Sequence, residues 1–148
     1  EEIAKGVAEA GLSVTFSAPV TDHAASDDCG VTILGDEPDK RWHDFKGASM
    51  NAIRTRTLID AADLVVVRFG EKYRQWNAAF DAGYAAARGK PYVVIHLSDQ
   101  AHALKEVNQA ALAVCAKPAE VIDILRYVIT GALPVSAQST AAQSSAAE

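Results

Sequence analysis

Two runs of consecutive apolar residues constrain this chain more than any other feature: Leu64 to Val67 (LVVV) and Tyr92 to Ile95 (YVVI). A strand covered on one face alternates apolar and polar residues, whereas an unbroken run belongs to a strand buried on both faces, as in parallel α/β sheets. The segment that joins them, from Phe69 to Pro91, reads FGEKYRQWNAAFDAGYAAARGKP. It begins as a polar loop and becomes an alanine-rich helix from about Gln75 to Arg88, which Gly89 ends. The unit is therefore strand, loop, helix, strand. Its helix carries an acid, Asp81, two residues before Gly83, which has no side chain.

The same reading extends outward. Glu1 to Ala10 has Ile3, Val7 and Ala10 at helical spacing, with Gly11 as its stop. Leu12 to Phe16 alternates as a strand does and ends at Pro19. Residues 21–49 are polar and broken by Gly30, Gly35, Pro38 and Gly47, which predicts a long irregular connection of the kind that often carries function. Ser49 is placed to cap a helix from about Met50 to Ala62, with Ile53, Thr57 and Leu58 facing inward. Strands follow at Leu64 to Phe69 and Tyr92 to Leu97, then a short helix over 102–110 and a short strand from Ala111 to Cys115. Pro118 opens a final helix with a Val121, Ile122, Leu125, Val128 stripe, and Gly131 closes it. Strands alternating with helices predict a doubly wound parallel sheet in three layers, occupying residues 1–131. Residues 132–148 are small and polar and predict a disordered tail. A sandwich of this kind starts with a strand ahead of its first helix, and that strand is missing from this sequence.

Composition sets the outer bounds. With 14 basic and 19 acidic residues the net charge is -5, which argues against a nucleic-acid polymer or an anionic membrane as partner. No apolar run approaches the roughly 20 residues that span a bilayer. Cys29 and Cys115 are isolated and form no CxxC motif, which fits a reduced, cytoplasmic protein.

The segment NAAFDAGYAAARGKP resembles the signature of the nucleoside 2-deoxyribosyltransferase-like superfamily. More narrowly, MNAIRTRTLIDAADLVVVRFGEKYRQWNAAFDAGYAAARGKP looks like its YtoQ-type branch, with FGEKYRQWN the most specific run, and the likeness extends from about Glu1 to Thr130. The resemblance implies a five-stranded flavodoxin-like fold and cleavage or transfer at an N-glycosidic bond, with an acid as nucleophile. It also implies a nucleoside or nucleotide as small-molecule partner, no cofactor, and a homo-oligomer. By position, Asp81 matches the nucleophilic glutamate of the superfamily, one methylene shorter. Gly83, Tyr84 and Ala85 match the residues after it, and Asp63 matches an acid ahead of the third strand. A second acid is usual in the preceding helix, and here that place holds Thr55. In a strand order such as 2-1-3-4-5 the missing first strand would be central. Either the chain is truncated or the sheet closes differently.

An N-ribosyl bond breaks through an oxocarbenium-like state that a carboxylate can stabilise or attack, which makes Asp81 the catalytic candidate. The bland alternative is a solvated acid on a helix. Ahead of the helix, Lys72 and Arg74 are candidates to hold a phosphate, Glu71 to act as a second carboxylate and Asn77 to bind a sugar hydroxyl. Trp76 either stacks on a base or packs into the core. Arg54 is a candidate anion contact, whereas Arg56 reads as a solvated residue. His23 and Asp27 are candidates to reach a small-molecule site from a lid over 21–44. The same loop, with Asp22, Asp28, Cys29, His43 and Asp44, has no recognised metal-ligand spacing. Asp60 and Asp63 read as structural, and His96 as a core residue with a satisfied ring. Three readings follow: an N-glycosidic-bond enzyme, a nucleotide-binding or sensing module that lacks the chemistry, and, less supported, a metal-dependent hydrolase on the 21–44 loop.

Overall fold

The computed structural model describes residues 1–70 and 75–134. The loop candidates Glu71, Lys72 and Arg74 and nearly all of the expected tail lie outside these residues. In chain order the elements are α1 (Glu2–Glu9), α2 (His23–Leu34), α3 (Lys40–Ala61), β1 (Val65–Arg68), α4 (Trp76–Ala87) and β2 (Tyr92–Ile95). A 3-10 turn (Ser98–Gln100), α5 (Lys105–Ala110), β3 (Ala113–Cys115) and α6 (Pro118–Thr130) follow. Two compact units result: Phe16–Val114 on one side, and Glu1–Thr15 with the chain from Cys115 on the other. No helix among the described residues is long and apolar enough to cross a membrane.

In the unit formed by the chain ends, α1 packs on α6. Val7, Val121 and Leu125 are buried, and Gly6 lets the Ile122 side chain approach the α1 backbone. Pro118 stands at the first turn of α6, and Gly131 closes it at φ 72° with its N–H on the Tyr127 carbonyl at 2.8 Å. Both ends are where the sequence puts them.

The larger unit is built on an open parallel sheet of order β1-β2-β3, the architecture of a flavodoxin-like α/β fold. Val65 to Arg68 of β1 pair with Tyr92 to Ile95 of β2 in parallel register. All four residues of β2 are buried, so both faces of this central strand are covered, as its unbroken apolar run predicts. On one face Val67, Phe69, Tyr92 and Val94 pack with Ile59 of α3 and with Ala82 and Ala85 of α4. The alanines bring the α4 backbone close to the sheet, and each buried aliphatic side chain contributes about 1.5–3 kcal/mol.

Four expectations for the first half of the chain need correction. Leu12 to Phe16 forms no strand, and among the described residues none before Val65 joins the sheet. Alternation alone does not make a strand, because its N–H and C=O groups need a neighbouring ladder. The supposed irregular connection over 21–49 is instead helical. Asp22 caps α2 by accepting from the Ala25 N–H at 2.9 Å, and Asp39 caps α3 by accepting from the Arg41 N–H at 2.9 Å. Ser49 lies inside α3 with its hydroxyl on the Phe45 carbonyl at 2.8 Å, so the helix starts at Lys40. Ile53 and Thr57 are exposed rather than inward, while Leu58 is half-buried and Ile59 is buried.

The two helices run antiparallel in close contact. A Cβ at Gly30 would lie 2.1 Å from the Lys46 carbonyl carbon, and one at Gly47 would lie 2.5 Å from the Asp27 carbonyl oxygen. These glycines are points of helix–helix contact, not breaks. Polar links complete the pairing: the Asn51 amide donates to the Ser26 carbonyl at 2.9 Å, and Lys46 donates to the Gly35 carbonyl at 2.9 Å.

Candidate functional site

The C-terminal ends of the strands are where open α/β sheets bind ligands, and here three elements converge there. Phe69, just past β1, donates its N–H to the Ile95 carbonyl at 2.8 Å and extends the ladder by one residue. At Gly70 the neighbouring strand no longer supplies partners, and two side-chain amides replace it. The Gly70 N–H donates to Gln75 Oε1 at 2.8 Å, and the Gly70 carbonyl accepts from Gln100 Nε2 at 3.1 Å. Gln75 precedes α4 in the left-handed conformation, φ 45° and ψ 51°, which costs a residue with a Cβ about 1–2 kcal/mol. Its side chain is turned to Gly70 and caps no α4 amide.

Five candidates lie along α4: Trp76, Asn77, Asp81, Gly83 and Tyr84. Asn77 and Asp81 are one turn apart and share a face. Asp81 is half-buried on the flank of the face that carries the buried Ala82 and Ala85, and Asn77 is exposed. No described residue hydrogen-bonds to the Asp81 carboxylate, and burial raises it above the usual aspartate range. Trp76 is 71% exposed, which removes the core reading of this ring and leaves its face open for stacking. Because so little of Trp76 is buried, Trp76→Ala is expected to change stability by no more than about 0.5 kcal/mol in a urea titration. Gly83 is exposed, and a Cβ there would meet nothing within 4 Å.

Tyr84 points to α3. Its hydroxyl donates to Asp60 Oδ2 at 3.0 Å, and Arg88 Nε donates to Asp60 Oδ1 at 2.9 Å. Arg56, one turn before Asp60, lies over the rings of Phe80 and Tyr84 at 5.7 and 5.6 Å. It is thus not simply solvated, contrary to the sequence reading. The signal was present as matched four-residue spacings, Arg56 and Asp60 on α3 against Phe80, Tyr84 and Arg88 on α4, and single-helix reasoning passed over it. The Arg88 hydrogen bond holds the Asp60 carboxyl below its usual range, against partial burial and with help from Tyr84. Burial first, then Asp60, pushes the Tyr84 phenol up.

A carboxyl lowered in the folded state contributes stability that is complete above its unfolded pKa of about 3.9 and fades as pH falls through the lowered folded value. Between about pH 5 and pH 3, the urea midpoint of the wild type is expected to drop further than that of Asp60→Asn. Parallel profiles for the two proteins would show that this ion pair contributes nothing to stability.

The remaining candidates are dispersed. Arg54 is exposed and donates to the Ala18 carbonyl at 3.3 Å. His23 and Asp27 are exposed on α2, a regular helix rather than a lid. In the same hairpin Asp28 pairs with His43 at 3.2 Å and Asp44 with Lys40 at 3.3 Å. Among the described residues no group of three or more His, Cys, Asp or Glu could hold a metal ion. His96 is buried and satisfied as expected, with Nδ1 at 2.7 Å from the Leu97 carbonyl and Nε2 at 3.1 Å from Asn108 Oδ1. Cys29 and Cys115 are free thiols. Two shallow concavities lie away from Asp81, one lined by Lys105, Glu106, Gln109 and Ala110, the other by Arg41, Trp42, Asp44, Phe45 and Ala48. Sequence reasoning missed Gln75 and Gln100, because a left-handed backbone and a contact across 30 positions leave no local signature.

Comparison with known proteins bears on what such a site handles. The family model described as Nucleoside 2-deoxyribosyltransferase YtoQ matches residues 1–129. The chain is 41% identical over 111 residues to a Bacillus subtilis (strain 168) protein named "Uncharacterized protein YtoQ", and the matched region covers 75% of each chain.

Proposed function

The chain belongs to the family described as Nucleoside 2-deoxyribosyltransferase YtoQ, and on that premise we propose that it cleaves or transfers at the N-glycosidic bond of a nucleoside or nucleotide, with Asp81 as nucleophile. One observation carries the reading: Asp81 is a half-buried carboxylate that no described residue engages, on the helix that starts at the C-terminal edge of the sheet. A carboxylate that solvent and partners leave partly bare is a better nucleophile than a fully hydrated one.

In the reaction an Asp81 oxygen bonds to the anomeric carbon as the C–N bond breaks. The bonding pair leaves with the base nitrogen, which takes a proton from an acid, and Glu71 is the candidate donor. Water or a second base then displaces the carboxylate. Asn77, on the same face of α4, is assigned to a sugar hydroxyl and Trp76 to the base. Lys72, Arg74 and Arg54 are assigned to a phosphate, and Gly83, where an added Cβ would meet nothing within 4 Å, and Tyr84 are assigned to the ligand's close approach. His23 and Asp27 have no part in this scheme. A second reading, a binding or sensing module without chemistry, is favoured by Thr55 at the place of the superfamily's other acid. We also assign a self-association surface to Ile53 and Phe80, exposed by 62 and 59%. Sedimentation at micromolar concentration tests it, and a monomer would remove it.

The purified protein is incubated with a panel of deoxynucleosides and deoxynucleotides, and free base is measured by chromatography. Release that Asp81→Ala abolishes supports the enzyme. Binding without release supports the module, and neither binding nor release sinks both. Loss of turnover with EDTA would instead return the metal-dependent reading.

A further inference from the structure

We propose that Gln75 and Gln100 are positioning residues that fix the start of α4, and with it Asn77 and Asp81, against the ends of β1 and β2. The inference rests on the N-glycosidic reading of the site and extends it to two residues that touch neither sugar nor base.

The N-cap residue of a helix ordinarily has an extended backbone and a short polar side chain that accepts from the first turn. Gln75 has neither property: its φ is 45° and its side chain makes no cap bond. Glycine would adopt this backbone without strain, so a glutamine here needs another reason. That reason is Gly70, whose N–H ends on Gln75 Oε1 at 2.8 Å. The other half of the Gly70 peptide is taken by Gln100 Nε2 at 3.1 Å from the turn that follows β2. A Cβ at position 70 would lie 2.9 Å from Gln75 Nε2, so a larger residue there would require the Gln75 amide to shift. Gln100 Oε1 is buried with no partner among the described residues.

A strained residue and two side-chain amides thus meet at one glycine, at the end of the sheet where ligands bind, and strain that persists at such a place points to function. The mechanical consequence is direct. The two amides bind the end of β1, the turn after β2 and the first residue ahead of α4 into one unit. Asn77 lies in the first turn of that helix and Asp81 in the second, so its entry angle sets where their side chains lie. A shift of about 1 Å in a reacting group can lower turnover on the order of 100-fold.

The test compares Gln75→Gly, Gln75→Glu and Gln100→Ala with the wild type, using whichever panel deoxynucleoside or deoxynucleotide the wild type cleaves. Gln75→Gly relieves the left-handed strain and deletes the bond to Gly70. It is expected to keep the melting temperature within a few degrees while kcat/KM falls at least about 10-fold, mainly in kcat. Gln75→Glu keeps an acceptor for the Gly70 N–H and is expected to stay within about 3-fold of wild type. Gln100→Ala is expected to fall with Gln75→Gly. Full activity in Gln75→Gly, equal losses in the Gly and Glu variants, or a loss that simply follows melting temperature would each overturn the positioning role alone. A wild type that releases no base from any member of the panel would instead overturn the reaction, and the role with it.

Discussion

Asp81→Asn is expected to abolish base release and, at neutral pH, to raise the melting temperature of the protein. The first half follows from the proposed chemistry: an amide forms no glycosyl bond at the anomeric carbon, and removal of a nucleophile lowers turnover by at least about 1,000-fold. The second half follows from the carboxylate's surroundings. Burial raises the Asp81 carboxyl in the folded chain, so the ionised form is held less favourably there than in the unfolded chain. Above the folded value this mismatch destabilises the protein, and as pH falls below the unfolded value of about 3.9 it disappears. The neutral Asn carries no such penalty. Its thermal advantage should therefore be present at about pH 7 and vanish near pH 3, the reverse of the trend expected at Asp60. Thermal melts at both pH values, alongside the chromatographic assay, check the two halves separately. A variant that is inactive but no more stable would mean Asp81 is better solvated than its position on α4 indicates. One that is more stable but still active would remove it as nucleophile.

Much of the fold could be read from the sequence wherever it repeats a local pattern. The LVVV and YVVI runs became the edge and centre of a parallel sheet, the alanine-rich segment became α4, and Pro118 and Gly131 bound α6. The readings failed where the deciding contact is distant. Leu12 to Phe16 alternates correctly, yet a strand needs a ladder that local sequence does not supply. In α2 and the first half of α3, Ile33, Leu34, Trp42 and Phe45 are exposed, so there is no buried apolar stripe to find. The useful signals were the caps at Asp22 and Asp39, which polar composition had disguised as loop. At the site, the spacing of Asp81 and Gly83 singled out α4. The burial of Asp81, the exposure of Trp76 and the link from Tyr84 to Asp60 depend on which helix lies beside which.

The hairpin of α2 and α3 supplies the second large effect. Gly30→Ala is expected to destabilise the protein by about 3 kcal/mol, the upper end for overpacking, because the added methyl meets backbone and not a movable side chain. It would lie 2.1 Å from the Lys46 carbonyl carbon and 2.2 Å from the Gly47 nitrogen, distances that require the helices to separate. Separation would also break the Asn51 to Ser26 hydrogen bonds and pull Asp28 from His43. Gly47→Ala should act in the same direction and less severely, since its nearest atom is the Asp27 carbonyl oxygen at 2.5 Å. Gly83→Ala is the control: this glycine lies within a helix with open space beyond it, so alanine should add up to about 1 kcal/mol. Urea titrations of the three variants test the set. If Gly30→Ala matched the wild type, α2 would not pack on α3 as described. If Gly83→Ala gained stability but lost nucleoside binding, the open space over α4 would be the place where the ligand lies.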